Sequence, residues 1–213
     1  MTMHNAPGGA APAADGLVHV VDDDEAVRDS LGWLLEANGF AVQVFDSAEA
    51  FLAGWRPHRT GCLVLDVRMP GLSGTALQDE LARRGDPMPI VFITGHGDVP
   101  MAVATMKKGA VDFLEKPFTD AALCAAVRRA LERSRAAHAE AAADRRSDEL
   151  LARLTARERQ VLDRIVAGRL NKQIADDLGI SIKTVEAHRA NIMDKLQARS
   201  MADLMKTALR AGG

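Results

Sequence analysis

Short apolar runs alternate with amphipathic stretches from Leu17 to about residue 138. Runs with the length and composition of β-strands cover residues 17–21, 41–45, 62–67, 90–94 and 112–117. Helical patterns follow them at about residues 25–38, 47–55, 74–84, 99–109 and 119–138. Such alternation is typical of βαβ units, in which helices connect and cover the strands of a parallel sheet. The pattern therefore predicts an α/β domain with a five-stranded, mainly parallel sheet.

From about residue 150 the hydrophobic pattern is helical, and no further strand is predicted. Thr155 and Glu158 form a capping box that marks a helix start, and Gly168 marks the end of that helix. Gly179 ends the next helix, and Ser181 is placed to cap the one after it. These later helices are predicted at about residues 171–178, 182–196 and 200–211. The chain therefore contains a second, all-α domain of four helices.

The connection between the two domains is predicted to be helical as well. The pattern that begins at residue 119 continues to about residue 147, but after Leu131 its apolar side chains are alanines only. Such a face buries little surface, which favours an exposed connector. The predicted organisation is a disordered tail, an α/β domain, a helical linker and an all-α domain, at residues 1–16, 17–138, 139–149 and 150–213.

Charge is distributed unevenly along the chain. Residues 1–148 carry 15 Lys and Arg against 21 Asp and Glu, whereas residues 149–213 carry 12 against 8. The acidic and basic parts are therefore expected to have different partners. Cys62 and Cys124 lack the spacing of a zinc site or a disulfide framework, which favours a reducing cytoplasm. No apolar run approaches membrane-spanning length and no signal-peptide pattern is present, so no membrane association is expected.

Polar and charged side chains stand at the carboxyl ends of four predicted strands. Asp22 and Asp23 follow the first strand, Asp66 lies near the end of the third, Thr94 ends the fourth, and Lys116 lies at the end of the fifth. Ligands bind outside these strand ends in an open parallel sheet. The five side chains are therefore expected to converge on one crevice.

The chemistry of these side chains points to a metal ion and a phosphoryl group. Carboxylates without a nearby histidine or cysteine favour a hard divalent cation such as Mg²⁺. Lys116 adds a fixed positive charge, and the two cations together would stabilise phosphoryl oxygens. No GxxxxGK[ST] loop is present, so a P-loop nucleotide site is not expected. An Asp pair alone is more often a solvated turn or helix cap, so the metal interpretation depends on Asp66, Thr94 and Lys116.

Four motifs resemble the receiver domain of two-component response regulators, namely VVDDDEAVRDSL, LVLDVRMPGLSG, FITGHGDVPMAV and GAVDFLEKPF. The resemblance covers residues 17–138 and implies a flavodoxin-like fold with strand order 2-1-3-4-5. It implies that Asp66 accepts a phosphoryl group from the phosphohistidine of a sensor histidine kinase. It further implies direct Mg²⁺ coordination by Asp23 and Asp66, help from Asp22 through water, and a ligand in the backbone carbonyl of Arg68.

The same resemblance implies a switch that follows phosphorylation. Thr94 and Lys116 would bind phosphoryl oxygens, and Phe113 would be the switch aromatic whose rotamer follows Thr94. By pattern alone, an aromatic side chain in an apolar strand is a core residue, so the role of Phe113 depends on the resemblance. The chain has no tyrosine, so this switch would work by packing without a hydroxyl hydrogen bond.

Residues 171–196 show a helix, a glycine turn and a second helix, as a helix-turn-helix requires. The pattern also fits an ordinary helical hairpin, but the positive charge favours phosphate binding. The stretch from LTARERQVL to TVEAHRANIMDKL resembles the DNA-binding domain of the NarL/FixJ and LuxR regulators, and with the receiver it points to the FixJ-type branch. Helix 182–196 would then enter the major groove. Its candidate base contacts are Lys183, Glu186, Ala187 and Ala190, and its candidate phosphate contacts are Thr184, His188, Arg189 and Lys195.

A single domain of this size has a short base-reading surface, so a homodimer on two half-sites is expected. In relatives, the face of the fourth helix, fifth strand and fifth helix pairs after phosphorylation. Val99, Val103 and Met106 would form its apolar part here, or would belong to the core. The implied partners are a sensor histidine kinase, double-stranded promoter DNA, RNA polymerase and a second copy of the chain.

Two other functions are alternatives to a phosphorylation-controlled transcription regulator. An aspartyl-phosphate hydrolase also uses a nucleophilic Asp with Mg²⁺, but it needs a second Asp two residues later, where this chain has Arg68. A receiver could instead carry a helical output domain that binds protein. Salt-dependent binding to duplex DNA distinguishes that alternative. The prediction is a DNA-binding regulator and not an enzyme.

Overall fold

The computed structural model describes residues 16–56, 59–86, 88–95 and 99–210. The predicted disordered tail, residues 1–16, lies outside the described residues except for Gly16. The chain divides into two compact units, Met1–His138 and Ala139–Gly213. In the described part, no helix combines the length and apolar character needed to cross a membrane.

A five-stranded parallel sheet forms the centre of the first unit. Its strands are β1 (Leu17–Val21), β2 (Ala41–Phe45), β3 (Gly61–Asp66), β4 (Ile90–Thr94) and β5 (Asp112–Glu115). The spatial order is β2-β1-β3-β4-β5, and every neighbouring pair is parallel. All residues of β3 and β4 are buried, as expected for central strands covered on both faces. The predicted flavodoxin-like sheet is confirmed.

Helices cover both faces of this sheet and bury an apolar core on each. They are α1 (Glu25–Ala37), α2 (Ala48–Gly54), α3 (Gly74–Arg83), α4 (Val99–Lys107) and α5 (Asp120–Leu151). Leu35 of α1 and Val127 of α5 pack with β1 and β3 in one cluster. Phe51 of α2 and Leu77 of α3 pack in the other. The carboxyl ends of the strands lie at one edge of the sheet between these layers.

Several element boundaries differ from the predictions by a few residues. β3 covers residues 61–66 where 62–67 was predicted. β5 ends at Glu115 and does not reach residue 117, because Pro117 has no N–H to continue the ladder. α5 is a single helix of 32 residues that runs through residues 139–149, as the continuous helical pattern predicted, but it ends at Leu151 and not at about residue 147.

The second unit is built from four helices after the end of α5. They are α6 (Ala156–Val166), α7 (Asn171–Leu178), α8 (Ile182–Lys195) and α9 (Met201–Arg210). The predicted capping box is present, since Thr155 and Glu158 each accept a backbone N–H from the other. Ser181 caps α8, and Gly179 ends α7 at φ 62°, a left-handed conformation that glycine adopts without strain. The core includes Ile174, Val185, Ile192 and Leu204, with Leu150 and Leu151 from the end of α5.

Candidate functional site

The structure brings three charged side chains together at the carboxyl edge of the sheet. Lys116 Nζ donates hydrogen bonds to Asp22 Oδ2 at 2.9 Å and to Asp66 Oδ1 at 3.1 Å. Asp22 is 1% exposed and Asp66 is 6% exposed, whereas Asp23 points into solvent. One ammonium group therefore bridges two buried carboxylates from β3 and the end of β1.

Burial changes the ionisation of these groups. Desolvation raises the pKa of Asp66, although Lys116 and the backbone N–H of Arg68 act in the opposite direction. Burial lowers the pKa of Lys116, but hydrogen bonds and charge from Asp22 and Asp66 outweigh that effect and leave the pKa raised. Lys116 is therefore protonated at neutral pH. Two buried carboxylates therefore share one ammonium group, and this excess of negative charge would attract a further cation.

Backbone contacts fix the two carboxylates. Asp22 Oδ1 accepts the N–H of Asp24 at 3.0 Å, and Asp66 Oδ2 accepts the N–H of Arg68 at 2.7 Å. Gly74, the first residue of α3, packs so closely that an added Cβ would clash with the carbonyl oxygen of Asp66. A larger residue at this position would therefore displace the backbone of Asp66 or of Gly74.

Thr94 and Phe113 lie on the strands beside this site. Thr94 is the last residue of β4, is 1% exposed, and accepts the backbone N–H of Lys116 through its carbonyl at 2.8 Å. Phe113 is half-buried, with its ring 6.4 Å from that of Phe92 between centroids. This contact agrees with the prediction, made from the strand pattern, that Phe113 is a core residue. Its role as a switch aromatic remains a prediction.

The donor set fits a hard divalent cation, since Asp22 and Asp66 provide carboxylate oxygens. In the arrangement seen across the described residues, however, no three His, Cys, Asp or Glu side chains are gathered to hold a metal. Lys116 lies between the two buried carboxylates instead. The ligand set of Asp22, Asp23, Asp66 and the Arg68 carbonyl remains a prediction.

One acid of the DDDE run has a role that the sequence reasoning did not assign. Asp24 is the N-cap of α1, and its Oδ1 accepts the N–H groups of Ala26 at 2.9 Å and Val27 at 3.2 Å. The preference of aspartate for N-cap positions was the available signal. The four consecutive acids therefore divide between the buried site, the helix cap and the solvent.

Most of the candidate DNA contacts lie on the surface of α8. Val185 and Ile192 bury the opposite side of the helix in the core. The exposed candidates are Lys183, Thr184, Glu186, Ala187 and Ala190, and the half-buried ones are His188, Arg189 and Lys195. The helix therefore presents one face to the solvent at the positions predicted to contact DNA.

Lys195 has a partner inside the second unit. Its Nζ lies 2.6 Å from Oε2 of Glu158, which is 4% exposed. This ammonium stabilises the fold, and its predicted phosphate contact has less support than those of the other candidates. The two residues lie 37 positions apart, and no local sequence signal pairs them.

Three apolar residues of α4 lie on the surface and not in the core. Val99, Val103 and Met106 are 77%, 46% and 42% exposed. The sequence left both placements open. Their exposure makes them available to a partner.

Comparison with known proteins places both units in families. Residues 18–128 match the response regulator receiver domain, and residues 152–208 match the bacterial regulatory proteins of the luxR family. The transcriptional regulatory protein FixJ of Azorhizobium caulinodans is 54% identical over 195 residues, which cover 92% of each chain.

Two solved structures resemble the chain over most of its length. The response regulator StyR matches with a TM-score of 0.82 and 47% identity, covering 91% of this chain and 98% of that one. Full-length FixJ from B. japonicum matches with a TM-score of 0.55 and 47% identity, covering 92% and 97%. The chain therefore belongs to the FixJ-type response regulators, which join a receiver domain to a LuxR-type DNA-binding domain and are typically regulated by phosphorylation.

Proposed function

We propose that Asp66 is the phosphoacceptor through which a sensor histidine kinase controls DNA binding by this chain. The observation that carries this proposal is the position of Asp66 at the end of β3, buried and 3.1 Å from Lys116 Nζ. A carboxylate held beside a fixed ammonium is a suitable nucleophile for a phosphoryl group, because the ammonium offsets the charge of the incoming oxygens.

The proposed transfer forms a bond between a carboxylate oxygen of Asp66 and phosphorus and breaks the bond between phosphorus and the kinase imidazole. The N–H of Arg68 holds Asp66 Oδ2 at 2.7 Å, so that the carboxylate is oriented before the transfer. Bound by Asp22, Asp23, Asp66 and the Arg68 carbonyl, Mg²⁺ would supply positive charge that reduces repulsion between carboxylate and phosphoryl group. Lys116 then pairs with a phosphoryl oxygen.

The hydroxyl of Thr94 is proposed to donate a hydrogen bond to another phosphoryl oxygen, and Phe113 to repack as Thr94 moves. Thr94 and Lys116 are already joined through their backbones. The transfer is proposed to be stoichiometric and not a turnover reaction. A hydrolase would need a general acid where Arg68 stands, and a guanidinium remains protonated at neutral pH.

The proposed output is a homodimer that binds promoter DNA in the cytoplasm and acts on RNA polymerase. The exposed Val99, Val103 and Met106 support pairing through α4, because apolar residues on a surface favour association. The outward face of α8, with Lys183 and Arg189, supports binding in the major groove. Lys195 is left out of this surface because Glu158 binds it.

The test compares wild type, Asp66→Asn and Asp46→Asn in the presence of Mg²⁺ and acetyl phosphate. Asp46 is an exposed aspartate that follows β2 and serves as the matched control. Intact mass and sedimentation are measured on the same samples. We expect wild type and Asp46→Asn to gain one phosphoryl group and to dimerise, and Asp66→Asn to do neither.

Uptake by Asp66→Asn equal to that of wild type would overturn the assignment of the acceptor. Uptake without dimerisation would leave the acceptor in place and reject the proposed pairing through α4. Omission of Mg²⁺ tests the metal, because full uptake in EDTA would reject the predicted ligand set. Absence of salt-dependent binding to duplex DNA would favour the protein-binding output instead.

A further inference from the structure

A cleft lies at the amino-terminal ends of the strands, beside Ile90, the first residue of β4. Asp66 lies at the opposite, carboxyl-terminal ends of the strands. The volume of the cleft is about 480 Å³, within the range of about 300–1,000 Å³ that is usual for small-molecule sites. Its apolar wall is formed by Leu81, Ala82, Met88, Pro89 and Ile90. We call it the β4-edge cleft. It shares no lining residue with the acidic site.

The charged residues around the β4-edge cleft balance one another. Two acids, Asp79 and Asp86, face two bases, Lys108 and Arg133. Lys108 Nζ lies 2.6 Å from Asp79 Oδ1, and Arg133 Nη1 donates to the carbonyl of Gly109 at 3.1 Å. Because the rim carries no net charge and two of its charges are already paired, it gives no advantage to an ionic ligand. An uncharged ligand fits this lining better.

Gln78 gives the cleft a hydrogen-bond acceptor that the protein does not use. The residue lines the cleft and is 6% exposed. Its Nε2 donates to the carbonyl of Thr105 at 3.2 Å, but its Oε1 has no hydrogen-bond partner among the described residues. A buried acceptor without a donor is destabilising. The terminal torsion of glutamine is broad, so a rotation of the amide would be the movement that turns this oxygen towards a donor in the cleft.

We propose that the β4-edge cleft binds a small, uncharged, mostly apolar molecule that carries one N–H or O–H donor for Gln78 Oε1. The apolar wall would bury the body of the ligand, and the donor would satisfy the unpaired acceptor. The ligand would contact α3, the two residues that follow α4 and Arg133 of α5. The receiver unit would then have a second ligand site, separate from the phosphoacceptor.

Indole is a suitable probe, because it is apolar and has a single N–H, and indene has nearly the same shape without that donor. The full-length ¹⁵N-labelled protein is titrated with each, and amide shifts are followed. We expect saturable shifts with indole at Asp79, Leu81, Ile90 and Gly109, and weaker binding of indene. Gln78→Met, which keeps the size of the side chain, should remove the preference for indole.

Ala82→Trp fills the cleft from an exposed helical position, and Arg83→Trp adds the same side chain one residue later, outside the lining. We expect Ala82→Trp to lose indole binding and Arg83→Trp to keep it. Phosphoryl uptake at Asp66 by both variants reports that the receiver is folded. Absence of saturable shifts in wild type, or equal shifts in Ala82→Trp, would overturn the proposed site. Equal binding of indene and indole would overturn the role of Gln78.

Discussion

Lys195 Nζ lies 2.6 Å from Glu158 Oε2 and so joins the last residue of α8 to the first turn of α6. The same Oε2 accepts the N–H of Thr155 at 2.8 Å, which closes the capping box. One buried carboxylate therefore caps α6 and holds the helix that carries the candidate DNA contacts. The hydrogen bond from Lys195 is the main reason why the pKa of Glu158 is lowered.

Two substitutions of Glu158 should destabilise the second unit by different amounts. Glu158→Gln keeps an acceptor for the capping box and loses the ion pair, so we expect a loss of about 1 kcal/mol in the free energy of unfolding at pH 7. Glu158→Ala loses both contacts and should cost about 2 kcal/mol. Urea unfolding of the three proteins measures both differences.

The cost of Glu158→Gln should also depend on pH. A carboxylate whose pKa is lower in the folded state stabilises the fold above its unfolded pKa of about 4.3, and this contribution is lost as the pH falls through the folded pKa. The difference between wild type and Glu158→Gln should therefore shrink in acid. An unchanged difference at acidic pH would mean that the ion pair contributes nothing.

Asp66→Asn should stabilise the protein at neutral pH. Burial raises the pKa of Asp66, and a carboxyl group with a raised folded pKa contributes stability at low pH that is lost as the pH rises through that pKa. The amide avoids this cost, so we expect a gain of about 1 kcal/mol at pH 7. The gain should vanish below the unfolded pKa of about 3.9.

Thermal or urea unfolding of wild type and Asp66→Asn between acidic and neutral pH measures whether the substitution raises or lowers the free energy of unfolding. Asp46→Asn is the control, because Asp46 is exposed. A destabilised Asp66→Asn at pH 7 would show that the bonds to Lys116 and Arg68 outweigh desolvation of the carboxylate.

Gly74→Ala should damage the acidic site through the backbone. The new Cβ would clash with the carbonyl oxygen of Asp66 and lie 3.1 Å from Leu65 Cγ, so the end of β3 or the start of α3 must shift. We expect a loss of about 1–3 kcal/mol in the free energy of unfolding, the usual cost of overpacking, and slower phosphoryl uptake. Gly54→Ala is the control, since its Cβ would make ordinary contact with the ring of Phe45, whose Cε1 lies 3.4 Å away. Equal behaviour of the two variants would contradict the proposed constraint.

Lys183 and Lys195 should respond differently in DNA binding. Lys183 is exposed on α8, whereas Lys195 is bound to Glu158. We expect Lys183→Ala to weaken binding to a random duplex and to reduce the slope of log K against log salt by about 1. Lys195→Ala should lower the stability of the second unit and leave that slope unchanged. Fluorescence anisotropy at several salt concentrations measures both slopes, and a reduced slope for Lys195→Ala would return Lys195 to the DNA surface.

Features that depend on neighbours in sequence were predictable from the chain alone. Periodicity predicted the five strands and the helices that alternate with them along the chain, and the structure confirms both. Cap preferences predicted the Thr155–Glu158 capping box and the Ser181 cap, which are also confirmed. The pattern also predicted that Asp22, Asp66 and Lys116 lie at the carboxyl ends of strands. The roles of these residues in phosphorylation and metal binding remain predictions.

Contacts between distant residues were decided only in the tertiary structure. The sequence by itself determined which side chains reach the strand ends, but not that Lys116 would bridge Asp22 and Asp66, that Glu158 would bind Lys195, or that Gln78 would keep an unpaired oxygen. Capping and periodicity arise within a few residues, where the backbone geometry is fixed by the helix or strand itself. A contact between distant residues forms only where the fold brings two charged or hydrogen-bonding groups within about 3 Å of each other. A buried group that the fold brings near no such partner stays unpaired, as Gln78 Oε1 does.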